Sequence, residues 1–343
     1  MAAMWMIYGA NGYTGELIAR EAVARGQRPL LAGRSAEKIE PLARELGCEW
    51  RAFDLSAPDL SGVELVLHCA GPFMHTSKAM VRACLDAGVH YLDITGEIAV
   101  FEPVLRKNDE AVKRGVTLMP GAGFDVVPTD CLAAMLHQRL PDATELWLAW
   151  HATKDRASRG TMKTVVEGLG TGGAIRKDGK IIVVSQLFDV REIPYSIGPR
   201  LSVTIPWGDV STAFHSTGIP NIRVYKSMSP RLVARLRRFG WLLPLARLRP
   251  INRFLQRRVD RVPGPNAKER EEGRTYLWGR VTNAKGEEAT MTMTVREGYR
   301  FTVLSSLAAI DRILSSPRRP GAFTPSRLLG ADFVKEIDGT ELT

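Results

Sequence analysis

Glycines fall at positions 9, 12 and 15 in the run Trp5-Met6-Ile7-Tyr8-Gly9-Ala10-Asn11-Gly12-Tyr13-Thr14-Gly15. A short apolar stretch precedes them and an amphipathic one, Glu16 to Arg25, follows. Strand, glycine turn and helix in that order form the context of a dinucleotide pyrophosphate loop. Gly9 permits the tight turn, Gly12 leaves room for the pyrophosphate, and Gly15 lets the helix lie close to the sheet. The first N–H groups of the helix then face the phosphates. Asn11, Tyr13 and Thr14 complete the loop. The spacing is GxxGxxG rather than the commoner GxGxxG, and a bare surface turn is the alternative reading.

A second strand, Pro29 to Ala32, ends in Gly33-Arg34-Ser35. Where an NAD-specific protein carries Asp or Glu for the ribose hydroxyls, this chain carries Arg34 and Ser35. A guanidinium pairs with a 2′-phosphate in bidentate fashion, and a carboxylate would repel it. NADP(H) is favoured over NAD(H). The plainer reading makes Arg34 a solvated charge and Ser35 the cap of the next helix, Ala36 to Leu46. Asp54, after a third strand at Trp50 to Phe53, suits the adenine amine or a turn cap. A fourth strand, Val63 to Cys69, runs into Ala70-Gly71-Pro72, a small-residue loop of the kind that passes beside the nicotinamide half.

Reduction of a polarised double bond needs a positioned hydride, stabilisation of charge and a proton. Backbone N–H groups at Gly121–Gly123 are candidates for holding a developing enolate. Asp125, Tyr91 and Asp93 lie near expected carboxyl ends of strands, where open α/β sheets bind ligands. His215 and Lys163 in the second half are further candidates for carrying the proton. The bland alternatives are turn or cap carboxylates, a satisfied histidine and a solvated helix lysine.

These groups must be held by regular elements. Up to about Phe124 strands and helices alternate, with helices Ser77–Ala87 and Ile98–Arg114 closed by Gly88 and Gly115. Short strands at His90–Ile94 and Val116–Met119 follow them. That is βαβ repetition, an N-terminal Rossmann doubly wound parallel sheet. Pro41 interrupts the second helix, where a kink is expected. From Glu145 the pattern changes to strands between Gly/Pro turns: 146–150, 180–184 and 201–205, then a hairpin of 274–282 and 288–296 around Asn283-Ala284-Lys285-Gly286. A helix at 161–169 and a final one at 301–314 accompany them. The fold class is α/β with a second α+β domain on a largely antiparallel sheet. The expected divisions are 1–125 for NADP, 126–300 for substrate, and 301–343 packing back on the first domain.

A length of 343 residues suits two domains, and 24% charged with 45% hydrophobic residues is ordinary for a globular chain. No secretory signal is evident and Arg or Pro interrupts the long apolar runs, so a cytoplasmic protein without membrane spans is expected. Cys48, Cys69, Cys84 and Cys131 lack ligand spacing, so no metal site or disulfide is expected. The net charge of +10 is local: residues 231–258 hold nine arginines and no acidic residue. Arginine there alternates with Leu, Phe, Trp and Ile, which fits a peripheral membrane or acidic-protein contact, or else a packed helix with a solvated basic face. No nucleic-acid motif accompanies it. A homodimer is expected on general grounds alone.

The set GANGYTG, AGRS, CAGPF, HYLDITGE and GAGFDVVPTD resembles the saccharopine dehydrogenase-like oxidoreductase family, in particular its branch with trans-acting enoyl reductases. SRGTMKTVVEGL (158–169), residues 264–286 and GAFTPSRLLG (321–330) extend the resemblance over nearly the whole chain. It implies that residues 9, 11–15, 34–35 and 70–72 line the cofactor site. It implies too that Gly121-Ala122-Gly123-Phe124-Asp125, with Pro128, form the junction of cofactor and substrate. The activity implied is hydride transfer. An NADPH-dependent reductase of an enoyl, lipid-like or acyl-carrier-bound substrate is the leading expectation. A saccharopine-reductase-like amino-acid or imine dehydrogenase, using Arg159, Arg200 and Arg223 for carboxylates, is the second. A non-catalytic NADP-binding, lipid-associated protein is the third.

Overall fold

The computed structural model describes residues 4–259 and 263–343. The first three residues of the expected first domain lie outside the described residues. The chain divides into two units, one comprising residues up to Val127 with Tyr299–Ile337, the other Pro128–Gly298 with Asp338–Thr343. The last segment therefore differs from the expected single stretch 301–343. Its final residues leave the first unit because Glu341–Leu342 pairs antiparallel with a strand of the second.

The first unit is built on β1 (Trp5–Tyr8), β2 (Leu30–Gly33), β3 (Trp50–Ala52), β4 (Leu65–His68), β5 (His90–Asp93) and β6 (Thr117–Met119). All pairs are parallel, in the order β6-β5-β4-β1-β2-β3, and Gly321–Ala322 adds a further strand outside β6. This is the doubly wound arrangement expected. Strands β1, β2, β4 and β5 are buried throughout, which is why they read as unbroken apolar runs instead of alternating ones. The strand order reverses between β1 and β4, and ligands of such sheets bind at the carboxyl ends beside that reversal.

Two helices depart from expectation. The stretch expected as one helix over 98–114 is two, Ile98–Leu105 and Asn108–Arg114. Pro103 has no N–H to hold the preceding turn, and the chain breaks at Arg106 and Lys107 soon after. The helix expected from Ser77 begins at Phe73. The cause is distant in sequence: both Glu97 carboxylate oxygens accept from backbone N–H groups there, Phe73 at 2.9 Å and Met74 at 2.9 Å. The second helix, Ala36–Leu46, continues through Pro41.

The second unit is a nine-stranded sheet. Its strands are β7 (Ala143–Ala152), β8 (Gly173–Lys177), β9 (Lys180–Val184), β10 (Val190–Tyr195), β11 (Gly198–Thr204), β12 (Asn221–Ser227), β13 (Arg274–Asn283) and β14 (Glu288–Arg296). They run β10-β11-β12-β7-β13-β14, followed by Glu341–Leu342, with the β8–β9 hairpin attached to β12. Only β7 and β12 are parallel. Helix Val127–Arg139 lies on one face. It comes so close that a Cβ on Gly279 would stand 2.6 Å from Leu136 Cδ1 and 3.2 Å from Leu132 Cδ2. A separate cluster of Ala149, Ile193, Tyr195, Tyr225 and Trp278 packs together, with Trp147 and Tyr276 against it. The arginine-rich segment folds as helix Pro230–Phe239, a 3-10 stretch Gly240–Arg247 and helix Arg249–Val259.

Candidate active site

The glycine loop joins β1 to helix Tyr13–Ala24. Gly9 has φ +88°, and a Cβ there would lie 2.8 Å from the backbone nitrogen of Ala70. The loop after β4 thus passes directly against the loop after β1. Gly15 is closer still to its neighbours, since its Cβ would stand 2.4 Å from the carbonyl oxygen of Gly9. Gly12 sits at the helix N-cap with no side chain closing the helix end. The N–H groups of Thr14 and Gly15 have no partner among the described residues. A cradle that side chains would fill, with open N–H groups at its floor, fits a pyrophosphate.

The residues after β2 fit the adenosine half. Arg34 is exposed and makes no hydrogen bond or ion pair among the described residues. Ser35 occupies the N-cap position of helix Ala36–Leu46, yet its hydroxyl does not cap it. The capping reading of Ser35 is thereby corrected: the helix is started by its backbone carbonyl, which accepts from Ile39 at 3.1 Å. The hydroxyl stays open for a phosphate. Asn11 is exposed beside the end of β2, and a Cβ on Gly33 would stand 3.2 Å from its Oδ1. Asp54 serves as a turn cap, accepting from Ser56 N–H at 3.0 Å. That bond, helped by the Arg34 charge, lowers the pKa of its exposed carboxyl.

On the other side of the reversal, the chain leaves β4 through Ala70, Gly71 and Pro72, with a cis bond before Pro72. His68 and Thr76 hold this loop, neither of them suggested by the sequence pattern. The Thr76 hydroxyl donates to the Ala70 carbonyl at 2.8 Å, and His68 Nε2 meets the same hydroxyl at 2.9 Å. Burial lowers the His68 pKa to about 3, so its ring is neutral at ordinary pH.

Beyond β5 and β6 three carboxyl groups gather. Asp93 is fully buried; it accepts from the Tyr91 hydroxyl at 2.7 Å, Thr95 N–H at 3.0 Å and Gly121 N–H at 2.8 Å. Burial pushes its pKa up to about 6 against those bonds. Asp93 and Tyr91 are therefore buttresses of the 121–123 loop. The Asp93 backbone carbonyl takes the Ala122 N–H at 2.6 Å, so the N–H groups of Gly121 and Ala122 are already used. Gly121 and Ala122 thus have no free donor for an enolate, contrary to the sequence-based expectation.

Asp125 differs. It is partly buried and its carboxyl has no hydrogen bond among the described residues. The backbone of Gly96 presses on it, a Cβ there falling 2.8 Å from Oδ2. Burial first, and the neighbouring Glu97 charge second, push its pKa up to about 7. Glu97 is fixed by the two N–H groups following Pro72. One carboxylate thereby links Asp125 to the Ala70–Pro72 loop, a connection with no local sequence signal. Lys163 and His215 belong to the second unit, on helices Arg159–Gly168 and Asp209–Thr217.

Residues 5–119 match the family described as saccharopine dehydrogenase NADP binding domain. Over that stretch the chain is similar to the NADP-binding domain of the saccharopine dehydrogenases. Among its relatives is the saccharopine dehydrogenase-like oxidoreductase of Homo sapiens, 25% identical over 231 residues. That match covers 57% of this chain and 51% of that protein. The trans-acting enoyl reductase of Mycobacterium bovis (strain BCG / Pasteur 1173P2) is 29% identical over 147 residues, 39% of this chain and 35% of that protein. The chain spans about half the length of the first of these relatives and a smaller share of the second. In fold it is similar to the apo saccharopine dehydrogenase (L-Glu forming) of Saccharomyces cerevisiae, with TM-score 0.66 and 13% identity over 100% of both chains. The first unit thus carries an NADP-binding domain.

A second group of charges surrounds Trp147 on β7. The guanidiniums of Arg191 and Arg280 each stand 3.9 Å from its ring centroid. Arg223, in register with Trp147, shares Asp189 with Arg191, at 3.2 Å and 2.6 Å. Tyr225 hydroxyl donates to the same Asp189 oxygen at 2.8 Å. Of the three expected arginines only Arg223 joins this group. Arg200 is exposed and donates to the Pro199 carbonyl, and Arg159 is exposed at a helix start.

Proposed function

We propose that this saccharopine dehydrogenase-like protein is an NADPH-dependent reductase of a polarised C=C bond in an enoyl, lipid-like or carrier-bound substrate. The observation that carries the reading is Asp125, a carboxyl pushed up to about 7 at the carboxyl end of the sheet, beside Glu97. Bound NADPH supplies hydride. The chain's own residues do the rest. Gly9, Gly12 and Gly15 clear the pyrophosphate path, and Arg34 with Ser35 takes the 2′-phosphate. Ala70, Gly71 and Pro72, pinned by Thr76, form a firm wall for the nicotinamide. Hydride addition at the β-carbon leaves an enolate whose α-carbon needs a proton. A carboxylic acid with a pKa near neutrality is matched to that donation. Partial likeness to a trans-acting enoyl reductase supports the choice of substrate.

The arginines around Trp147 favour a second reading, an amino-acid or imine substrate whose carboxylates they would pair. Purified protein with NADPH decides between them. Oxidation of NADPH by enoyl thioesters, and not by mixtures of 2-oxo acids with amines, is expected. The opposite pattern would replace the first reading with the second. Tight NADPH binding without turnover on either panel would leave a non-catalytic NADP-binding protein.

A further inference from the structure

The arginine-rich segment is fastened to the second unit at few points. Val233, Ala246 and Val259 are its buried side chains. Gly170 approaches Pro244 so closely that a Cβ would fall 2.6 Å from its Cα, and Gln256 Nε2 donates to the Lys163 carbonyl at 3.3 Å. Leu236, Leu243 and Leu255 are half-buried, and the remaining large apolar side chains are left outside. Phe239, Trp241, Leu248 and Phe254 are 47%, 74%, 52% and 58% exposed. Among the described residues, eight of the fifteen exposed large apolar side chains lie between Leu232 and Phe254. A packed helix with a solvated basic face explains the arginines and fails to explain these eight. Such a concentration marks an interaction surface.

The chemistry of the occupant follows from the mixture. Nine arginines without an acidic residue call for dense negative charge. Protruding Trp, Phe and Leu side chains call for an apolar layer immediately beneath that charge. An acidic protein supplies the first, and would need a matching groove for the second. An anionic bilayer supplies both: phosphates at the surface for guanidiniums, and the acyl boundary for the rings. Beside the first helix a cavity of about 670 Å³, lined by Val190, Leu201, Val233 and Ala234, opens next to Arg237 and Arg238. Its apolar floor and basic rim suit a lipid. We propose that residues 230–259 dock this protein on the surface of an anionic lipid bilayer, lying in the headgroup plane. No helix among the described residues is long and apolar enough to cross a membrane.

Flotation of the full chain with vesicles tests this, comparing phosphatidylcholine alone with an equal mixture of phosphatidylcholine and phosphatidylglycerol. Binding to the mixture and not to phosphatidylcholine is expected. Each basic side chain near such a surface strengthens partitioning about fivefold, so Arg235→Gln, Arg238→Gln and Arg253→Gln together should weaken it roughly a hundredfold. Phe239→Ser, Trp241→Ser and Phe254→Ser together should weaken it at least about tenfold, because the apolar anchor is lost. Far-ultraviolet circular dichroism and a cooperative thermal transition matching wild type report that each variant is folded. Absence of flotation, equal flotation with neutral vesicles, or folded variants that float like wild type would overturn the proposal. So would concentration-dependent dimerisation abolished by the aromatic variant, or saturable binding of an acidic carrier protein, if either occurred without flotation.

Discussion

Gly12→Ala and Gly15→Ala separate the two jobs that the glycine loop performs. At Gly15 the added methyl would stand 2.4 Å from the Gly9 carbonyl oxygen and 3.0 Å from Ala10 Cα. A comfortable contact needs about 3.5 Å, so roughly 1 Å must be absorbed, and by main chain on both sides. Gly9 O also accepts the Gly12 N–H at 2.9 Å, so it cannot retreat without opening the turn. Overpacking of this kind costs about 1–3 kcal/mol, and rigid partners put Gly15→Ala near the top of that range. At Gly12 the only near atom is the same oxygen, at 3.1 Å. Its relief needs a few tenths of an ångström, costing roughly 1 kcal/mol or less. Its methyl instead occupies the space assigned to the pyrophosphate. Denaturant unfolding should show a large loss for Gly15→Ala and a small one for Gly12→Ala. NADPH fluorescence titration should show Gly12→Ala weakened on the order of tenfold or more, beyond the effect of its lost stability. Equal stability losses, or Gly12→Ala binding NADPH like wild type, would refute the assignment of these positions.

Arg34→Ala should weaken NADPH about 10–100-fold, the worth of a charge-assisted hydrogen-bonded pair, and leave NADH nearly unchanged. Equal weakening of both cofactors in the same titration would mean that Arg34 does not read the 2′-phosphate. Asp125→Asn should lower kcat on the order of 10²–10⁴-fold, and wild-type kcat should fall as pH rises through about 7, where the donor loses its proton. A pH-independent kcat would remove Asp125 from the chemistry. The sign for stability is the same: with its folded pKa raised, Asp125 stabilises the fold most when protonated, and that contribution is lost as pH rises through about 7. The stability of Asp125→Asn relative to wild type should therefore grow from about pH 5 to about pH 8, read by thermal unfolding. Glu97→Gln removes one cause of the raised Asp125 pKa, so the alkaline limb of kcat should move to lower pH.

The parts of the site that were legible in sequence are those written in consecutive residues. Gly9, Gly12 and Gly15 state their own backbone requirements, and Arg34 follows a strand that is apolar throughout. The hairpin of β13 and β14 announces itself by alternation and a turn at Asn283-Gly286. What escaped was built across the fold. Glu97 caps a helix that starts 24 positions earlier, and nothing around Phe73 reveals it. Asp93 ends the short strand β5 and Asp125 follows the short strand β6, yet one is consumed by three hydrogen bonds and the other, among the described residues, by none. Trp147 looks like a core residue in its own strand. Only the register of β7 with β12 and β13 sets Arg223 and Arg280 on either side of it.

The strand Gly321–Ala322 closes the edge of a sheet whose neighbouring strand, Thr117–Met119, lies some two hundred positions earlier, pairing Gly321 with Thr117. Ser305 likewise reaches back to the Ala122 carbonyl at 2.8 Å. A ribosome makes the chain from its N-terminus, so the nucleotide-binding half emerges first with β6 as a bare edge and cannot be finished until most of the second unit has followed. Such long-range closures are slow, and unpaired edges invite association with other chains. Both sheets therefore take their last strand from the end of the chain, Gly321–Ala322 for the first and Glu341–Leu342 for the second.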